Sequence, residues 1–225
     1  MIDFLNEIDQ NLFLALHHLV RSESIDHFAW LVSERWVWVP MYTVLLWWLL
    51  RSFGWQRCLV LIPAIALATL CADQICSSYI RPLVERLRPA HPENPIVHMV
   101  SVVYDYRGGM FGFPSCHASN TVMLATFIRL LSRSRWLSLW LFAWVALNCF
   151  SRIYLGVHYP GDLLFGALIG ALCASLWYAV SRYFLRKFFG ENALRTDKTN
   201  NMDGLIVILS GIVTLAVLAI ISYLN

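Results

Sequence analysis

Charged side chains are scarce in this chain of 225 residues. Asp, Glu, Lys and Arg together make up 14% of it, against 59% hydrophobic residues, and the mean hydropathy is +0.60. An ordinary soluble domain has about 25% charged and about 45–50% apolar residues. The chain therefore has too few charges to cover a globular surface in water, and the same composition excludes intrinsic disorder. These proportions predict an integral membrane protein.

Paired cysteines and a basic face are also missing. Six cysteines are present, but none has the C-x-x-C spacing of a zinc or redox site. We interpret five of them as small buried hydrophobic residues. The net charge is only +3 and the positive residues are scattered, so we predict no nucleic-acid partner. The oligomeric state stays open.

Long apolar runs dominate what is present. A bilayer core about 30 Å thick needs about 20 apolar residues per helix. Six runs approach that length, at residues 28–50, 58–80, 118–131, 136–150, 163–180 and 205–224. The third and fourth are short, so we expect the third to begin near Ser115 and the fourth to continue past Arg152, with polar ends lining a pocket. The predicted fold class is all-α, a bundle of six transmembrane helices.

The first 26 residues lack the basic start of a signal peptide. Leu5, Ile8, Leu12 and Leu16 recur at helical spacing, which predicts an amphipathic helix lying on the membrane surface. We therefore predict one membrane domain, residues 1–225. Within it, residues 1–26 form the interfacial segment, 27–182 the core, 183–203 a cytoplasmic loop and 204–225 an additional C-terminal transmembrane helix.

Basic residues in the short loops indicate the orientation, because such loops are usually cytoplasmic. One side of the membrane has the larger set: Arg51, Arg57, Arg133, Arg135, Arg182, Arg186, Lys187, Arg195 and Lys198. We predict that this side is cytoplasmic, and that the long loop 81–113 and both termini face outward. The absence of a targeting signal favours a bacterial inner membrane with the site facing the periplasm.

Polar residues gather at the loop ends predicted to face outward, in the segments 81–89, 114–117 and 151–162. The third and fifth spans both begin on this face, and helix N-termini favour anions. Three arginines from separate segments, Arg81, Arg88 and Arg152, can converge on one oxyanion, because guanidinium groups match phosphate geometry. This combination beside a membrane pocket predicts binding of a phosphoryl group on a lipid.

Two histidines and one carboxylate accompany these arginines. His158 and Asp162 are four residues apart, so one helical turn places them on the same face. A carboxylate that accepts the Nδ1 proton leaves Nε2 free as a nucleophile toward phosphorus. His117, in the other converging helix, could protonate the departing oxygen as a general acid. Such a site would transfer phosphoryl groups with no metal and no cofactor, since the arginines would stabilise the transition-state charge.

Taken together, the three segments resemble the signature of the type 2 phosphatidic acid phosphatase superfamily, K-x6-R-P, P-S-G-H and S-R-x5-H-x3-D. Here they read Arg81-x6-Arg88-Pro89, Pro114-Ser115-Cys116-His117 and Ser151-Arg152-x5-His158-x3-Asp162. The resemblance covers about residues 26–182. It implies an integral membrane lipid phosphatase with a phosphohistidine intermediate. Carried over by position, it makes His158 the nucleophile, Asp162 its partner and His117 the general acid, and the phosphate-binding residues are Arg81, Arg88, Ser115, Cys116 and Arg152.

Two positions depart from this pattern. Arg81 stands where the superfamily usually has lysine, and Cys116 replaces a glycine that would let the backbone approach the phosphate. A thiol near arginines and a helix N-terminus would be sensitive to oxidation. Arg86 falls outside the pattern, and we interpret it as an anchor for lipid headgroups.

The predicted function is hydrolysis of a phosphomonoester or a terminal pyrophosphate on a membrane lipid. The candidate substrates are undecaprenyl diphosphate, phosphatidic acid or phosphatidylglycerol phosphate, and lipid A, and the sequence does not choose among them. Two alternatives stay open. One is phosphotransfer to a lipid acceptor at the same site. The other is a catalytically silent transporter of lipid or phosphate, for which Asp73 within the second apolar run is the one hint.

Overall fold

The computed structural model describes residues 2–132, 134–194 and 200–224. Over these ranges the chain is built of α-helices, which confirms the predicted all-α class. In chain order the helices are α1 Ile2–His17, α2 Glu23–Ser33, α3 Val39–Gln74, α4 Arg81–Val84, α5 Cys116–Leu131, α6 Arg135–Tyr154, α7 Pro160–Phe189 and α8 Asn200–Leu224. Three of the predicted cytoplasmic residues, Arg133, Arg195 and Lys198, lie outside the described residues.

The predicted first run, 28–50, is not one helix. Phe28 belongs to α2, which ends at Ser33, and a 3-10 turn, Arg35–Trp38, separates it from α3. Glu34 breaks the helix with an extended backbone (φ −80°, ψ 123°). Pro40 then opens α3, where the missing N–H of proline costs no hydrogen bond.

Helix α3 contains a reversal of direction at Gly54. This residue has φ 74° and ψ 156°, a backbone that favours glycine. The thiol of Cys58 donates to the carbonyl of Leu49 over 3.5 Å, whereas nine residues of straight helix would separate them by about 13 Å. The helix therefore consists of two arms that run in opposite directions. A π-helical turn, Ile75–Ile80, leads from the second arm into α4.

Four segments of the described residues are long and apolar enough to cross a membrane: Arg35–Val84, Arg135–Tyr154, Pro160–Phe189 and Asp203–Leu224. The prediction of a membrane protein is thereby supported. Helix α5 is not among them, because its 16 residues are fewer than the 20 or so that a bilayer needs. The count of six crossings stays a prediction.

Helices α5 and α7 are in backbone contact. A Cβ atom on Gly166 would overlap the carbonyl oxygen of Ser115, and one on Gly170 would overlap that of Ser119. Small residues four apart let two helices approach this closely. The contact holds the N-termini of α5 and α7 side by side.

Helix α1 has an apolar outer face and a packed inner face. Phe4, Leu5, Ile8 and Leu12 are between 47% and 64% exposed, as an interfacial helix requires. Leu16, expected on the same face, is half-buried and packs towards the protein body.

Candidate active site

The three polar segments meet where α5 and α7 begin. The backbone N–H of Ser115 donates to the carbonyl of Asp162 over 3.0 Å, which joins the two helix starts. The loop between α4 and α5 folds back on itself, since the N–H of Arg88 donates to the carbonyl of Met110 over 3.1 Å. The predicted site residues of all three segments are therefore brought together.

His158 and Asp162 form a buried pair. Nδ1 of His158 lies 3.4 Å from Oδ2 of Asp162, and that oxygen also accepts the backbone N–H of Tyr159 over 2.9 Å. His158 is 1% exposed and Asp162 is fully buried. Burial lowers the pKa of His158 well below its ordinary value, and the nearby arginine charges lower it further. The imidazole is therefore held in the neutral form that a nucleophile needs.

Arg88 fixes the tautomer of this imidazole. Its Nη1 lies 3.3 Å from Nε2 of His158, and it also donates to the carbonyl of Val157 over 3.1 Å. A guanidinium has only donors, so Nε2 must be the accepting nitrogen and Nδ1 must carry the proton towards Asp162. Burial and the charge of Arg152 lower the pKa of Arg88 to about 10, which leaves it charged at neutral pH.

Two further arginines have donors without partners. Arg152 is 2% exposed; its Nη2 donates to the hydroxyl of Tyr106 over 3.1 Å, but its Nε and Nη1 are buried and reach no acceptor among the described residues. Nε of Arg81 is likewise buried and reaches no acceptor among the described residues. Burying unpaired donors of a cation is costly unless an anion meets them. These nitrogens suit phosphate oxygens.

Arg81 contacts Cys116, and both residues depart from the superfamily pattern. Its Nη2 donates to the carbonyl of Pro114 over 3.0 Å and lies 3.1 Å from Sγ of Cys116. The arginine that replaces lysine and the cysteine that replaces glycine are therefore neighbours, and the longer fork of arginine reaches over the thiol.

Ser115 and His117 lie at the start of α5, as expected. Ser115 is fully buried, and its hydroxyl accepts the N–H of Ala118 as the N-cap of the helix. His117 is the second residue of α5, and it lies close enough to Arg152 and His158 for their charges to act on it.

The expectation for Arg86 was wrong. Instead of anchoring headgroups, Arg86 donates through Nη1 to Asp162 over 2.9 Å and to Asp9 over 2.7 Å. Its guanidinium stacks on the ring of Tyr159, 4.0 Å from the centroid. Sequence reasoning also missed Asp9 and Tyr106. Asp9 is more than 70 residues from its partners along the chain, so no local pattern could reveal it.

Comparisons with known proteins point to one superfamily. Residues 59–186 match the PAP2 superfamily. The lipid A 4'-phosphatase of Bacteroides thetaiotaomicron is 41% identical over 222 residues, which cover 99% of this chain and 98% of that one. The lipid A 4'-phosphatase of Porphyromonas gingivalis is 33% identical, covering 85% and 80%. The crystal structure of Aquifex aeolicus LpxE shares the fold, with a TM-score of 0.54 and 24% identity over 76% of this chain and 94% of that one.

Proposed function

The chain belongs to the PAP2 superfamily, and from that premise we propose that it is a metal-independent lipid phosphatase that removes the 4'-phosphate of lipid A through a phosphohistidine intermediate. The observation that carries the chemistry is the buried neutral imidazole of His158 between Asp162 and Arg88. The observation that favours this substrate is identity over nearly the whole chain with a lipid A 4'-phosphatase.

In the first step, the lone pair on Nε2 of His158 attacks phosphorus. The P–N bond forms as the bond from phosphorus to the 4' oxygen breaks. His117, protonated when the phosphate dianion is bound beside it, donates its proton to that oxygen and is left neutral. Asp162 stabilises the charge on the imidazole through Nδ1. In the second step a water molecule, deprotonated by His117, attacks phosphorus. The P–N bond breaks, inorganic phosphate leaves and His158 is regenerated.

The phosphate-binding roles fall to the predicted set around this nucleophile. The unpaired donors of Arg81 and Arg152 take phosphate oxygens, and Arg88 shifts from Nε2 onto the phosphate as the substrate enters. Ser115 and Cys116 supply the N-terminal end of α5, where positive helix-dipole charge adds to that of the arginines. This much positive charge takes the part that metal ions take in other phosphatases, so no cofactor is required.

The same proposal includes six membrane crossings in one domain. The two arms of α3 count as two, and α5, α6, α7 and α8 supply the other four, with the short α5 completed by its polar ends. The site then opens at the outer face of a bacterial inner membrane, with residues 183–203 in the cytoplasm. Outward orientation suits lipid A, whose sugar headgroup is displayed on that side.

The silent-transporter alternative is less well supported. Its one hint, Asp73, accepts a hydrogen bond from the amide of Asn120 over 3.1 Å, which gives the carboxylate a structural partner. A binding protein would also have no use for a buried, tautomer-fixed imidazole. Phosphotransfer to a lipid acceptor uses the same intermediate, so product analysis must separate it from hydrolysis.

The test is phosphate release by the purified protein and its His158→Ala variant, in detergent with excess chelator. The panel comprises lipid A, undecaprenyl diphosphate, phosphatidic acid and phosphatidylglycerol phosphate, and mass spectrometry identifies which lipid A phosphate is lost. We expect free phosphate from the 4' position of lipid A and none from the variant. Release from a different lipid and not from lipid A would make that lipid the substrate. A phosphorylated lipid product in place of free phosphate would establish phosphotransfer.

A further inference from the structure

One guanidinium nitrogen bridges two carboxylates at the edge of the site. Nη1 of Arg86 lies 2.7 Å from Oδ2 of Asp9 and 2.9 Å from Oδ1 of Asp162. The side chains of Arg86 and Asp9 are only 18% and 15% exposed, and that of Asp162 is fully buried. At this depth, charges are poorly screened by water, so the bridge is a substantial electrostatic link.

Asp9 makes a second contact, with the backbone of α7. Its Oδ1 accepts the N–H of Gly161 over 2.7 Å, one of the orphan donors in the first turn of that helix. A Cβ on Gly161 would lie 2.6 Å from Oδ2 of Asp9, so glycine at this position is what admits the carboxylate. Asp9 therefore holds both Arg86 and the helix that carries Asp162.

Helix α1 is fixed over the turn that contains His158. The ring of Phe13 packs edge-on against that of Tyr159, with centroids 5.4 Å apart. One turn further along, Nδ1 of the buried His17 contacts the carbonyl of Ile153 at 3.0 Å, and its Nε2 accepts the N–H of Ser101 over 3.0 Å. Asp9, Phe13 and His17 are spaced four apart, so one stripe of α1 makes all three attachments.

We propose that Asp9, acting through Arg86, is a positioning residue that sets the orientation and charge of the Asp162–His158 pair. This inference rests on the proposed function, because it concerns the nucleophile of that reaction. Oδ2 of Asp162 already serves His158 and the N–H of Tyr159. Arg86 holds the other oxygen, Oδ1, and Asp9 shares the positive charge that Arg86 would otherwise direct at Asp162 alone.

Asp9→Asn is the sharpest perturbation, because it keeps the shape and the acceptor for Gly161 but removes the charge. The undivided charge of Arg86 then acts on Asp162 and His158. It stabilises the carboxylate and disfavours the imidazolium, so protonation of His158 requires a lower pH. We expect kcat to fall about tenfold while KM stays within about threefold, and the acid limb of kcat/KM to move to lower pH, since the pair loses alignment and basicity rather than substrate contacts.

The experiment compares four proteins with the wild type. Glu7→Gln is the matched control, since Glu7 is an exposed carboxylate on the same helix. Arg86→Gln and the Asp9→Asn/Arg86→Gln double variant complete a cycle: if Asp9 acts through Arg86, Asp9→Asn changes nothing further in a protein that already carries Arg86→Gln. Melting temperatures verify that each variant is folded.

A second readout does not depend on turnover. With ¹⁵N-labelled histidine, the His158 signals are identified by their loss in His158→Ala, and we expect Asp9→Asn but not Glu7→Gln to shift them. Unshifted signals and unchanged kcat in a folded Asp9→Asn protein would overturn the role of Asp9 and leave the proposed function intact. A raised KM with unchanged kcat would overturn it in favour of direct substrate binding. No phosphate release by wild type would instead contradict the proposed function, and the His158 signals would still decide the role of Asp9.

Discussion

At Gly112, the addition of a single methyl group would crowd the proposed nucleophile and its partner. A Cβ there would lie 3.0 Å from Oδ2 of Asp162, 3.1 Å from Cγ of Arg88 and 3.6 Å from Nδ1 of His158. Ordinary van der Waals contact begins at about 3.4 Å, so Gly112→Ala requires Asp162 and Arg88 to move by about 0.3–0.4 Å. All three neighbours belong to the proposed site, and all three are buried.

The displacement falls on an already long contact. The separation of 3.4 Å between His158 and Asp162 would increase to about 3.8 Å if the carboxylate gives way, which is beyond hydrogen-bond range. We expect kcat to fall about tenfold, since a misplacement of about 1 Å can cost about a hundredfold. The overpacking should also destabilise the fold by about 1–3 kcal/mol.

Gly109→Ala is the matched control. It lies in the same loop, and a Cβ there meets no described atom within 4 Å. The assay is steady-state phosphate release from lipid A by both variants, with the melting temperature measured in the same detergent. If kcat of Gly112→Ala stays within twofold of that of Gly109→Ala, the proposed crowding of the Asp162–His158 pair is refuted.

Three further predictions test other parts of the structure. Burial lowers the pKa of His17 to about 4, below its unfolded value of about 6.5. Between pH 6.5 and pH 4 the unfolded chain binds a proton at His17 that the folded protein does not, so the free energy of unfolding falls with pH by at most about 1.4 kcal/mol per pH unit. The melting temperature of His17→Gln should therefore fall less steeply over that range than that of wild type. A methyl group at Gly170 would overlap the carbonyl oxygen of Ser119, so Gly170→Ala should cost about 3 kcal/mol or more of stability, whereas Leu172→Ala at an exposed position should change the melting temperature little. Because Arg81 lies over the thiol of Cys116, Arg81→Lys should lose phosphatase activity, and adding Cys116→Gly to restore the family pattern should recover part of it; no recovery would show that the two departures are independent.

The residues of the proposed phosphate site follow local spacing, so the sequence alone could predict that they would come together. His158 and Asp162 are four residues apart across the start of α7, and the predicted alternation of crossings puts Ser115, Arg152 and His158 on one face. Helix packing then brings them together, with Gly166 allowing close contact. A site that needs particular residue types at fixed spacings can therefore be recognised in the sequence.

The supports of the site left no such pattern. From the sequence alone, Arg86 cannot be distinguished from a basic residue that anchors lipid headgroups. Only the tertiary fold shows that it forms ion pairs with both Asp162 and Asp9. Asp9 sits in an amphipathic helix whose exposed apolar face is readable, while its partner Gly161 is 152 residues away. The reversal at Gly54 is different, because it lies between the predicted runs 28–50 and 58–80, where two separate crossings require a turn. Hydropathy and residue spacing therefore predict where the chain turns, but they do not record long-range electrostatic contacts.

The most direct test of the central claim is to trap the phosphoenzyme. Lipid A labelled with ³²P at the 4' position is mixed with wild type and with His158→Ala in excess chelator, and the reaction is quenched in denaturant within milliseconds to seconds. We predict that label becomes bound to the wild-type protein and is released by acid but not by alkali, as expected of a P–N bond, and that the variant carries none. Label that survives acid, or that persists on His158→Ala, would contradict the assignment of His158 as the nucleophile.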